Sequence, residues 1–158
     1  AGFQQYEISN WSKPGLECRH NLQYWRGLPY LAVGAGAHGY ANGYRYSNVL
    51  RIKTYIDRLT KYSAANLSFP LTPATVNHHQ GTRQDDMGEF MMTDLRLTRE
   101  GVSAETFRER FGQEIGDVFG KEIEELIRLG LLVRQAQSLR LTRQGRLLGN
   151  QVFMRFVG

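Results

Sequence analysis

The chain has 158 residues, 41% of them hydrophobic and 22% charged, with a formal net charge of +5. This composition suits one globular domain or two small ones, with enough apolar side chains to bury a core. No apolar run approaches a membrane span, AGFQQYEISN lacks a signal-peptide layout, and a single Cys excludes both a disulfide framework and an iron–sulfur site, so a reducing cytoplasm is the expected setting.

Ala1 leads at once into YEISNW, which reads as strand already inside a fold and gives the expectation of a piece of a longer protein. Alternation and the β-branched Ile8 predict a strand from Gln5 to Trp11, closed by a turn at Ser12–Gly15. Asn21 to Trp25 fits one helical turn, and Tyr30 to Val33 reads as a short buried strand entering the glycine-rich turn GAGAHG. Tyr40 and Tyr46 flank Asn42–Gly43, a hairpin signal, and apolar residues at 52, 55, 56 and 59 predict a helix. Ser63 to Pro73, small and polar with two prolines, reads as a linker.

Beyond the linker the pattern is helical. Met87, Phe90, Met91 and Leu95 form one stripe, and Ser103 caps a helix that buries Ala104, Phe107 and Phe111. Phe119, Ile123, Leu126 and Ile127 mark a third helix, which Gly130 can terminate in the left-handed region. Leu131–Val133 and Leu139–Leu141 suggest a hairpin, after which Thr142 caps a last helix presenting Leu148, Val152 and Phe156. Three helices, a two-stranded wing and a helix make a winged-helix layout.

A winged helix raises the reading of a nucleic-acid-binding module. Its reading helix, Asp117 to Arg128, carries four acids against two bases, a charge that repels phosphate. The whole +5 sits in residues 1–80, and residues 81–158 balance to zero. A packing or partner-docking role is therefore the better reading of the second half. His78 and His79 on a helix would point about 100° apart, and no carboxylate stands at a ligand spacing from both, which makes a solvated or capping role the better one.

Chemistry concentrates in residues 18–40, CRHNLQYWRGLPYLAVGAGAHGY. His20 and Tyr24 are four apart and share a face if the segment is helical, with Trp25 next and Arg19 and Arg26 at the rim. An imidazole, an aromatic shelf and guanidiniums suit a tetrapyrrole: iron ligation, ring stacking and propionate pairing. On composition alone, a core in which His20 bonds backbone while Tyr24 and Trp25 fill space is by a modest margin the better reading of the same residues. In GAGAHG the missing side chains allow close approach to backbone N–H groups, as a ligand or a tight structural turn would require. Cys18 reads as a small hydrophobe rather than a ligand.

YEISNWSKPGLECRHNLQYWRGLPYLAVGAGAHGY resembles the late part of the HemW/HemN group of radical S-adenosylmethionine proteins, which comprises oxygen-independent coproporphyrinogen III oxidases and haem chaperones. HNLQYW looks like the HNxxYW motif of the chaperone branch, and GEFMMTDLRLTREGVSAETFRERFG, EIEELIRLGLL and LTRQGRLLGNQVF resemble the group's C-terminal domain. The resemblance implies an α+β chain. Residues 1–62 would be the closing strands and helices of a partial (β/α) radical S-adenosylmethionine barrel, 63–73 a linker, and 74–158 a mainly helical, winged-helix-like C-terminal domain.

The resemblance also implies functions. His20, Asn21, Tyr24 and Trp25 become haem or porphyrin contacts, with His20 a candidate iron ligand. Gly34, Ala35, Gly36, Ala37 and His38 become a loop beside the S-adenosylmethionine pocket. The parent would hold a [4Fe–4S] cluster through a CxxxCxxC motif that this chain does not contain, so the expected partners are porphyrin or haem and the rest of the barrel. Without that barrel the chain is expected to have no radical chemistry of its own, and its exposed apolar strand edges are expected to favour a dimer.

Overall fold

Apolar residues spaced in threes and fours turn most of the chain after residue 82 into helix. A computed structural model describes residues 1–157. In chain order it forms β1 (Gln4–Gln5), β2 (Trp11–Ser12), α1 (Arg19–Trp25), β3 (His38–Ala41), β4 (Tyr44–Asn48), α2 (Ile52–Lys61) and β5 (Thr75–Gln80). These are followed by α3 (Arg83–Asp94), β6 (Val102–Ser103), α4 (Ala104–Phe111), α5 (Ile115–Arg128), β7 (Leu132–Gln135), β8 (Ser138–Leu141), α6 (Arg143–Leu147) and α7 (Gly149–Phe153). They gather into two compact units: Ala1–Gly27 with the chain from Arg83 onward, and Leu28–Thr82. The boundaries at 62 and 73 concern the architecture of a longer parent, and packing within this chain does not decide them.

The first unit holds the main core. Phe90, Phe107, Phe111, Phe119 and Phe156 are all buried, and their rings meet at 4.9–6.3 Å, mostly edge to face. Met91, Leu95, Ile123, Leu126 and Val152 fill the space between. The caps form as their chemistry requires: Ser103 accepts from the Thr106 N–H and Thr142 from the Gly145 N–H. Gly130, at φ 71°, follows α5 in the left-handed conformation. The hairpin β7–β8 gains a third strand, β6, on the free side of β8.

In the second unit β3, β4 and β5 form one antiparallel sheet in that order. Asn42 and Gly43 turn its first hairpin with φ of 51° and 74°, the mirror-image turn that suits strand twist. The pairing is antiparallel throughout, and no barrel closes among the described residues. The mixed α/β character expected of the chain is present in both units.

Several local expectations change. Gln5–Trp11 is not one strand: β1 and β2 pair with each other, and the wholly buried Glu7 sits in the turn between them. Its Oε1 accepts from the Ser9 N–H at 2.9 Å and from Asn10 Nδ2 at 2.6 Å, which stabilises a turn where alternation predicted extension. Tyr30–Val33 is not a buried strand: Tyr30 makes one bridge to Tyr40, while Leu31 and Val33 are 57% and 83% exposed. The backbone there bonds to side chains instead, with the Ala32 N–H donating to the Tyr46 hydroxyl. His78 and His79 lie on β5, not on a helix, so they face opposite sides of the sheet. The last helix breaks at Leu148 into α6 and α7.

Candidate functional site

HNLQYW forms helix α1, a short element with little local support. It has seven residues, no buried side chain, no side-chain cap from Cys18 and no acid in its first turn. So short a helix is marginal alone, and contacts within its unit must hold it. Asn21 Nδ2 reaches the Tyr6 hydroxyl at 3.4 Å, and the Trp25 ring lies under the Arg96 guanidinium at 4.2 Å. Arg26, the residue after the helix, grips Glu100 with Nε at 3.2 Å and Nη2 at 2.8 Å. That bidentate bond holds the Arg26 guanidinium above its ordinary pKa.

This arrangement splits the motif. His20 and Tyr24 share the exposed face as the four-residue spacing requires, with rings edge to face at 4.8 Å. The Tyr24 hydroxyl lies 3.0 Å from His20 Nε2. Trp25 turns away from that pair to meet Arg96, and its indole N–H is buried with no hydrogen-bond partner. Arg26 does not stand free at a rim, because Glu100 occupies its guanidinium. The aromatic shelf beside His20 is therefore Tyr24 alone.

The second candidate stretch belongs to the other unit. Gly34 and Gly36 adopt φ of 107° and 71°, conformations that side chains resist. The loop's donors are largely used internally. The Gly34 N–H donates to the Tyr55 hydroxyl at 3.1 Å, Gly36 to the Val49 carbonyl at 2.9 Å, and Ala37 to the Gly34 carbonyl at 3.4 Å. Asn48, which sequence reasoning did not single out, clamps the loop from beneath. It is 3% exposed, and its Nδ2 donates to the Ala32 and Gly34 carbonyls at 3.2 and 3.0 Å. Ala35 adds a half-buried methyl group, and His38 opens β3 with its side chain exposed.

Beside His38 the sheet forms a hollow of about 370 Å³, lined among others by Tyr30, Arg45, Asn77 and His79. His38, Ser47 and Asn77 occupy paired register positions, as do Tyr40, Arg45 and His79, so these six side chains belong to one face. Of these six, sequence reasoning made only His38 a site candidate and considered His79 apart from it, because TVNHHQ carries no strand alternation that would have placed the other strand here.

The donor set does not fit an iron–sulfur cluster. Cys18, the only thiol, is exposed at the start of α1, and among the described residues no group of three or more His, Cys, Asp or Glu could hold a metal ion. Among the described residues, no helix is long and apolar enough to cross a membrane.

Residues 82–148 match the family described as the HemN C-terminal domain. Over 157 residues the chain is 40% identical to the haem chaperone HemW of Bacillus subtilis, covering 99% of this chain and 39% of that protein. In sequence the chain is similar to HemW proteins. HemW of Lactococcus lactis is 33% identical over 156 residues, covering 99% of this chain and 38% of that protein. In fold the chain is similar to a solved structure described as the coproporphyrinogen III oxidase HemN of Escherichia coli, a radical S-adenosylmethionine enzyme. That likeness has a TM-score of 0.69 at 16% identity, over 98% of this chain and 37% of that one. The chain thus spans about two fifths of the length of these relatives.

Proposed function

We propose that the chain acts as the C-terminal part of a HemW-type haem chaperone working in the cytoplasm, with haem as its cargo and α1 as a contact for it. The observation that carries this reading is the His20–Tyr24 pair. The two rings meet on one face of the helix, His20 exposed and Tyr24 half-buried, while Asn21 and Trp25 make contacts that anchor it. In the tautomer where Nε2–H donates to the Tyr24 oxygen, Nδ1 keeps the lone pair that a haem iron takes.

Gly34–His38 is, in this reading, a structural loop that lets a cofactor such as S-adenosylmethionine approach closely in the parent protein. In this reading residues 1–62 are the parent barrel's closing elements, and 74–158 are a winged-helix-like domain, a layout that the order of its helices and the three-stranded β6–β8–β7 sheet support. The cluster and the radical chemistry belong to the remainder of the parent. An oxidase parent, decarboxylating two propionates of coproporphyrinogen III, is the alternative within the same group; HNLQYW favours the chaperone. The acidic face of α5 speaks against a nucleic-acid-binding module.

Titration of ferric haem into the chain tests the reading. A Soret shift is expected for the wild type and not for His20→Ala, and an unchanged shift in the variant removes His20 from the ligand role.

A further inference from the structure

The first unit contains a pocket of about 380 Å³ that the haem reading does not use. Its apolar lining comes from Ile8, Leu147, Leu148 and Phe153, and its polar lining includes two guanidiniums, Arg96 and Arg146. No Asp or Glu is among the described residues that line it. A concave apolar surface with a few converging charges is what binds an amphipathic small molecule.

The two arginines differ in their electrostatic state. Arg96 lies between the Trp25 and Phe153 rings at 4.2 and 5.8 Å, and its Nη2 is 3.6 Å from the buried Glu7 carboxylate and 3.4 Å from Ser9 Oγ. Its charge is compensated, although its Nε is buried with no hydrogen-bond partner. Arg146 instead donates Nη1 to the neutral Gln5 Oε1 at 2.8 Å. The pocket therefore carries one half-buried positive charge bonded to an uncharged partner. A half-buried guanidinium beside apolar walls favours a carboxylate carried on an apolar body.

We propose that this pocket binds a propionate carboxylate of a porphyrin, with Arg146 as its charge partner and the apolar walls against the ring edge. The proposal rests on the haem reading above. Arg96 connects the pocket to α1, because Trp25 ends that helix and stacks on it. His20 stands five residues before Trp25, about 7.5 Å along the helix axis.

Haem and haem dimethyl ester, whose propionates carry no charge, are titrated into the full chain as wild type, Arg146→Gln and Arg146→Lys. Soret absorbance and tryptophan quenching are the readouts, and circular dichroism checks folding. Haem binding is expected to weaken about tenfold or more in Arg146→Gln and to recover in part with Lys. The ester is expected to bind the wild type about as weakly as haem binds Arg146→Gln, and to ignore both substitutions. Equal binding of haem and ester by the wild type overturns the assignment, as does unchanged haem affinity in a folded Arg146→Gln. If that variant does not fold, the wild-type comparison of haem with ester decides. Loss of His20-dependent binding with the propionate effect intact removes only the iron contact. A wild type that binds no haem removes both readings.

Discussion

Asp94 closes α3 with only 8% of its surface exposed, and its Oδ1 is buried with no hydrogen-bond partner. Burial pushes its carboxyl from 3.8 up to about 7, opposed by Arg110, reinforced by Glu100 and opposed again by Arg26. The folded chain thus keeps a proton up to about pH 7 that the unfolded chain releases near pH 3.8. Between those values the folded state binds more protons, so stability from this group is fully present below pH 3.8, falls as pH rises, and levels off above pH 7. A span of about 3 pH units corresponds to roughly 4 kcal/mol, an upper bound because the arginines can close on the ionised group. Asp94→Asn keeps the shape and removes the titration. Urea unfolding of both proteins at pH 5 and pH 8 measures the difference, and other titrating groups cancel in the comparison. The variant is expected to gain on the wild type by up to about 2.6 kcal/mol between pH 5 and pH 8, because only the two units from pH 5 to about pH 7 fall inside the titration span. A constant difference between the two proteins across that range refutes a buried, protonated Asp94.

A Cβ at position 39 would overlap the Tyr46 ring, whose hydroxyl accepts from the Ala32 N–H. Gly39→Ala is therefore expected to cost about 2–4 kcal/mol in a thermal melt and to speed hydrogen exchange at Ala32, and a wild-type melt excludes the close approach. Ile52, Ile56 and Leu59 on α2 are 71%, 54% and 42% exposed. Concentration-dependent association is expected by light scattering, reduced by Ile56→Glu; a monodisperse wild-type monomer contradicts it.

The helical core was legible because its signal is periodic. Met87, Phe90, Met91 and Leu95, then Phe107 and Phe111, recur at helical spacing, and each ends up buried. Ser103 and Thr142 announce their helices by capping chemistry that needs no distant partner. β5 was hidden for the opposite reason. TVNHHQ has no apolar alternation, and its strand conformation is supplied by the open edge of β4 rather than by its own side chains. The turn around Glu7 was equally hidden, since a buried carboxylate beside Arg96 depends on a residue far along the chain. Asp94, Arg26, Glu100 and Arg110 come together only in the fold, so no local pattern could have paired them.

The same distinction explains what became of HNLQYW. The four-residue spacing of His20 and Tyr24 was readable, because helix geometry alone puts them on one face. The duties of Trp25 and Arg26 were not, because Arg96 and Glu100 lie more than seventy residues away. With Asn21, Trp25 and Arg26 anchoring α1, His20 contributes an exposed ring whose hydrogen-bond partner is its neighbour on the helix. Removing it should leave the core of the unit untouched. His20→Ala therefore separates binding from folding: a variant that melts like the wild type but gives no Soret shift places the effect in the ligand contact. A variant that loses both stability and haem would instead mean that His20 supports the helix, and the cargo contact would have to be sought on Tyr24 or in the arginine pocket.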